Sequence, residues 1–102
     1  MIKNIKVWQL KATKENHGLM FSSLRLLKKF NLKFSMNNYK IVYRELINTP
    51  DDEDDMVTLE NLYMRFQCSK PVTYTGHSLS VSDVIEIDGV NYYCDSIGFK
   101  KM

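Results

Sequence analysis

The sequence predicts an α+β domain with the element order β-α-β-α-β-β, an antiparallel or mixed sheet packed with two helices and ending in a β-hairpin. Three observations predict it. Period-two apolar patterns recur near both ends of the chain, two stretches repeat apolar residues with helical spacing, and an Asp-Gly pair separates two β-rich runs. The 102 residues fall near the commonest size of a single domain, so residues 1–102 are read as one unit with one core system. Apolar residues make up 44% and charged residues 25%, the balance of a globular chain rather than a disordered or fibrous one.

The first strand is Ile5-Lys6-Val7-Trp8-Gln9-Leu10, where β-branched and aromatic residues favour extended backbone and apolar groups fall on both faces. Lys11 to Gly18 is polar and ends in glycine, a loop. Ser22 or Ser23 is placed to cap a helix whose face carries Leu24, Leu27 and Phe30, and Lys28 and Lys29 suit its negative C-terminal end. Asn31 is its expected stop.

Tyr39 to Arg44 alternates Tyr39, Ile41 and Tyr43 with Lys40, Val42 and Arg44, which predicts a strand with its aromatic face turned inward. The run Asp51-Asp52-Glu53-Asp54-Asp55 repels itself and lacks apolar anchors, so it is expected to be an exposed, solvated connection. Beyond it, Leu59, Leu62, Tyr63 and Phe66 stand at i, i+3, i+4 and i+7, with Thr58 as the expected cap. In the C-terminal third, Asp88-Gly89 between Val84–Ile87 and Val90–Cys94 predicts a two-residue type I′ hairpin.

The net charge of +2 conceals a division. Residues 1–50 hold ten Lys or Arg against two Asp or Glu, a balance of +8, while residues 51–102 hold four against ten, a balance of −6. Lys28, Lys29 and Lys33, and separately Asp51 to Asp55, are therefore the candidate surfaces for a charged partner. No apolar run is long enough for a signal core or a membrane span, so a cytoplasmic protein with reduced, buried Cys68 and Cys94 is expected.

Chemistry finds little support. His77 lies among Ser78, Ser80, Ser82 and Asp83, but the run has neither a nucleophile elbow nor triad spacing, and turn bonds explain those serines and Asp83 better. An RNA-cleaving site would need His77 paired with Asp83 or Asp95. His17, His77, Cys68 and Cys94 lack ligand spacing, the acidic run lacks the alternation of a calcium loop, and Gly18, Gly76, Gly89 and Gly98 are isolated turn residues rather than a phosphate loop. No cofactor, metal or small-molecule substrate is expected. Lysines beside Trp8, Tyr39 and Tyr43 would suit nucleic acid, although structural use fits each aromatic better.

Gly76-His77-Ser78-Leu79-Ser80-Val81-Ser82-Asp83-Val84-Ile85, followed by Tyr92-Tyr93-Cys94-Asp95-Ser96-Ile97-Gly98-Phe99, resembles the YodL-like domains encoded by plasmids and conjugative elements of Gram-positive bacteria. The resemblance extends through Trp8-Gln9-Leu10, Phe21 to Phe30, Asn38 to Tyr43 and Leu59 to Tyr63. Ile97, where many relatives carry an aromatic before Gly98-Phe99, and the acidic insert depart from it. It implies no catalytic activity. A stand-alone copy on a mobile element implies a role in that element's survival, and small proteins of such elements include inhibitors of type II CRISPR effectors such as Cas9. The resemblance thus implies an anti-CRISPR protein binding the effector, its guide RNA or their assembly intermediate. The alternative is a non-enzymatic interaction module of the plasmid or conjugative-transfer machinery. His77 and Asp95 join the lysines and the acidic run as partner-binding candidates.

Overall fold

The computed structural model describes residues 1–102. In chain order it contains β1 (Ile2–Leu10), a 3-10 turn (Lys14–Asn16), α1 (Leu24–Lys29), a second 3-10 turn (Met36–Asn38) and β2 (Tyr39–Asn48). The chain continues through α2 (Asp55–Cys68), β3 (Val84–Ile87), β4 (Val90–Cys94) and β5 (Phe99–Lys101). All strands pair antiparallel in one sheet of order β2-β1-β3-β4-β5, so the α+β class and element order hold with one strand added. That strand, β5, has only three residues and a single apolar side chain, too little to show an alternating pattern. No helix is long and apolar enough to cross a membrane.

The hairpin forms as its sequence requires: Asp88 has φ 49° and Gly89 φ 85°, the positive pair of a type I′ turn. Asp88 Oδ1 also accepts from the main-chain amide of Asn4 at 2.8 Å, which fastens the turn to β1.

Each face of the sheet has its own core. Ile5, Val7, Val42, Tyr43, Ile85, Ile87, Tyr92 and Cys94 pack with Leu59, Leu62 and Phe66 of α2 and with Tyr74 and Leu79 of the following loop. On the other face, Leu10, Tyr39, Val84 and Tyr93 pack with Leu27 of α1, flanked by Leu19, Leu24 and Phe34. Tyr39 and Tyr43 therefore do not share a face, contrary to the alternation expected of β2. The register shifts by one residue, from Val7↔Tyr43 to Trp8↔Ile41, so Val42 is the extra residue of a β-bulge. A bulge reverses the sidedness of the residues beyond it. Both tyrosines are buried, in different cores.

The helices begin and end for local reasons. Ser23 caps α1 by accepting from Leu26 N at 3.2 Å, and Asn31 ends it in the left-handed region at φ 57°. Phe30 departs from expectation: it is the C-terminal cap and is 64% exposed rather than part of the buried face. The cap of α2 is Asp54, which accepts from Met56 N at 2.8 Å, and not Thr58, which lies buried one turn inside. Cys94 is a buried free thiol as expected, whereas Cys68 ends α2 in an exposed position.

Leu62 is 4% exposed at the centre of the α2 contact. Leu62→Ala is expected to cost about 2–5 kcal/mol through lost transfer energy and the cavity left behind. The check is urea unfolding, with an unchanged midpoint counting against the packing described.

Candidate functional site

Three groups of side chains qualify for scrutiny: the surroundings of His77, the acidic run, and the cationic surface of α1. At the first, Asp83 is 1% exposed and its Oδ2 accepts from Ser80 N at 2.8 Å and Gln9 Nε2 at 3.0 Å. The Gln9 amide nitrogen also lies 3.2 Å from the Tyr74 hydroxyl and donates to the His77 carbonyl at 2.8 Å. Gly76 passes so close to the Gln9 amide that a Cβ there would collide with it, so this glycine serves close approach rather than a turn.

His77 Nε2 stands 3.9 Å from Asp83 Oδ1, beyond hydrogen-bond length, and its ring tilts against exposed Phe21 with centroids 5.6 Å apart. Asp95 is elsewhere, accepting from Leu24 N at 3.1 Å and Ser96 N at 2.9 Å beside the start of α1. Of the two alternative pairings for an RNA-cleaving site, the fold brings His77 near Asp83 without a hydrogen bond between the side chains, while Asp95 is engaged at α1. Burial pushes the Asp83 carboxyl from its ordinary 3.8 up to about 7, against the bonds from Ser80 and Gln9, which favour the charged form. Burial likewise raises the Cys94 thiol and the Tyr39 and Tyr93 hydroxyls, so none is poised as a nucleophile or base.

The backbone beside this network is strained. Phe21 at φ 59° and Ser82 at φ 82° occupy the left-handed region, and Phe21 N donates to Ser82 Oγ at 2.9 Å. Tyr39 OH donates to the Ser82 carbonyl at 2.6 Å, and Ser82 N donates to the Cys94 carbonyl at 2.9 Å. The Ser80-to-Asp83 segment is therefore a turn that joins the two cores, as its oxygen-bearing side chains suggest.

The acidic run is not the free, solvated connection the sequence implies. Lys3, 2% exposed, extends Nζ to Asp55 Oδ1 at 3.0 Å, the Glu53 carbonyl at 3.0 Å and Thr58 Oγ1 at 2.9 Å. Thr58 Oγ1 in turn donates to Glu53 Oε2 at 2.6 Å. Asp54 caps α2, and Asp51 Oδ1 lies 3.0 Å from the Met1 amino nitrogen. Only Asp52 has no bonded partner, so neutralising the whole run would remove structural contacts as well as charge.

Lys28, Lys29 and Lys33 are all exposed, and neither they nor Arg25 form an ion pair. Arg25, Lys28 and Lys29 stand at i, i+3 and i+4, one stripe of α1. Leu26, Phe30 and Leu32 are exposed among them, and Lys29 Nζ lies 5.8 Å from the Phe30 ring centroid. Apolar side chains are thus exposed side by side with cationic ones on and just beyond α1. Their exposure was not legible in the sequence, where Phe30 fits the buried stripe. No three His, Cys, Asp or Glu side chains gather as a metal-holding group.

A family model for the YodL-like domain matches residues 4–102. The chain belongs to the YodL-like family. No curated protein and no solved structure matches it. In this YodL-like domain the matched span takes in β2 to β5, both helices and β1 from Asn4 onward, and it contains Gln9, Gly76 and Asp83.

Two outcomes follow for the YodL-like domain. Asp83 binds a proton on folding, because its folded pKa lies above the ordinary value; its contribution to stability is complete below about pH 4 and is lost as pH rises through about 7. The melting temperature of Asp83→Asn relative to wild type should therefore rise over that interval, and parallel pH profiles would exclude this titration. In the acidic run, Asp54→Ala should cost about 1 kcal/mol as a lost cap, against a change within about 0.5 kcal/mol for Asp52→Asn, both read by chemical denaturation.

Proposed function

We propose that this YodL-like protein is a non-enzymatic binding protein whose α1 surface engages an anionic macromolecule, namely the guide RNA of a type II CRISPR effector of the Cas9 kind. The carrying observation is the unpaired stripe Arg25, Lys28 and Lys29, with exposed Leu26 and Phe30 on the same short helix and its cap and with exposed Lys33 four residues beyond its last turn. Many carboxylates are occupied within the fold: Asp55 with Lys3, Glu45 with Arg65, Glu86 with Lys6, and Asp54 as a cap. What remains free to act outward at α1 is cationic, which suits phosphate better than an effector's basic channel. Interference with guide loading therefore fits better than occupation of the target-DNA site by an acidic mimic. The resemblance to domains of mobile elements supplies the biological setting.

The test is cleavage by a panel of type II effectors, with the protein added before or after guide loading. Inhibition is expected mainly when it is added first. Lys28→Glu, Lys29→Glu and Lys33→Glu combined should weaken binding to the guide RNA and reduce the slope of log affinity against log salt by about one per lysine in contact with phosphate. Exposed cations contribute little to stability, so the triple variant should melt near wild type. If no effector is inhibited in either order at stoichiometric excess, the reading fails, and an interaction module of the conjugative machinery becomes the better account.

A further inference from the structure

β2 is an edge strand, and its outer side is open. Thr49 N donates inward to the Met1 carbonyl, and Asn4, opposite Leu46, turns its carbonyl toward the Asp88 amide on the β3 side. Alternation then directs the amides and carbonyls of Arg44, Leu46 and Asn48 outward. None of these groups has a partner beyond β1, whereas the same edge at Val42 is closed by Thr75 N at 3.0 Å. The opposite edge, β5, is only three residues long.

Beside the open edge runs a cavity of about 230 Å³ between β2 and α2, lined by Ile47, Thr49, Glu53, Thr58, Asn61 and Arg65 among others. The Thr49 hydroxyl is buried there without a hydrogen-bond partner. Arg65 closes one end by holding Glu45 with two bonds of 3.0 and 2.8 Å. Of the charged side chains that line this groove, the Glu53 carboxylate stands against the Arg65 guanidinium, one of each sign. On the other face of the edge, Leu46 and Ile2 are 69% and 61% exposed.

We propose that this groove takes an extended peptide segment of a partner protein as a sixth strand on β2. Unpaired main-chain groups along an edge call for main-chain donors and acceptors, which an extended peptide supplies and a nucleic acid does not. The period of two then fixes the side chains. Alternate residues enter the groove, where the orphan Thr49 hydroxyl and the Asn61 amide suit a polar, hydrogen-bonding side chain. The intervening residues lie over Leu46 and Ile2 and are apolar. The surface is separate from the cationic stripe of α1, so the two can be tested independently.

The probe is a peptide selected against the intact protein from a displayed library of random sequences. Enriched peptides should alternate apolar residues with polar, hydrogen-bonding ones. Leu46→Pro, which removes an outward N–H without touching the β1 ladder, should weaken binding by more than tenfold, while Leu46→Ile retains it. Should the proline variant fail to fold, N-methylation of alternate amides of the peptide tests the same bonds on the wild-type protein. Hydrogen exchange should slow at Leu46 and Asn48 on binding. No enriched peptide, equal affinity for Leu46→Pro or for N-methylated peptide, or protection confined to other residues would overturn the proposal. So would a β2-to-β2 dimer protecting the same amides, which would make a second copy the occupant.

Discussion

The arrangement on the α2 side of the sheet depends on one ammonium group. Lys3 is an almost fully buried cation on β1, and three oxygen acceptors within 3.0 Å replace its hydration. A buried charge left unpartnered costs far more than it returns, so the chain after β2 must bring carboxyl and carbonyl groups to this point. The acidic run meets that demand and simultaneously caps α2, whose N-terminus favours negative charge. Position and direction of α2 follow, and with them the groove beside β2.

The same strand carries a second buried polar group six residues on. Gln9 organises Asp83, Tyr74 and the His77 carbonyl, and the approach of Gly76 leaves its amide no alternative position. One strand thus fixes the helix at one end and the long loop before β3 at the other. Such networks favour one arrangement over its competitors, because a shifted register would strand either Lys3 or Gln9 without partners.

Much of the fold is legible in the residues because the signals are local. Asp88-Gly89 carries its own turn chemistry, Leu59, Leu62 and Phe66 carry their period, and Asn31 carries its left-handed stop. Features decided by distant partners are not legible. The bulge at Val42 is set by pairing with β1, and the three residues of β5 are a strand only because β4 lies beside them. Lys3 reads as a surface lysine in the sequence, since its acceptors lie some fifty residues later. For the candidate surface, charge was legible at Lys28, Lys29 and Lys33, whereas the exposure of Phe30 depends on how α1 ends. Polar groups such as Asp55 look available in the sequence and are bound in the fold.

The central place of β1 carries a kinetic consequence. Its neighbours in the sheet are β2, about forty residues away, and β3, about eighty residues away. During synthesis β1 emerges before the other strands of the domain, yet one flank of the strand stays unladdered until residues 84–87 have left the ribosome. Lys3 finds Asp55 and Thr58 earlier, but Gln9 must wait for Asp83. The nascent domain therefore holds an incomplete sheet until β3 emerges, and closing it is a long-range, entropically expensive event that slows folding relative to a sheet paired between local neighbours.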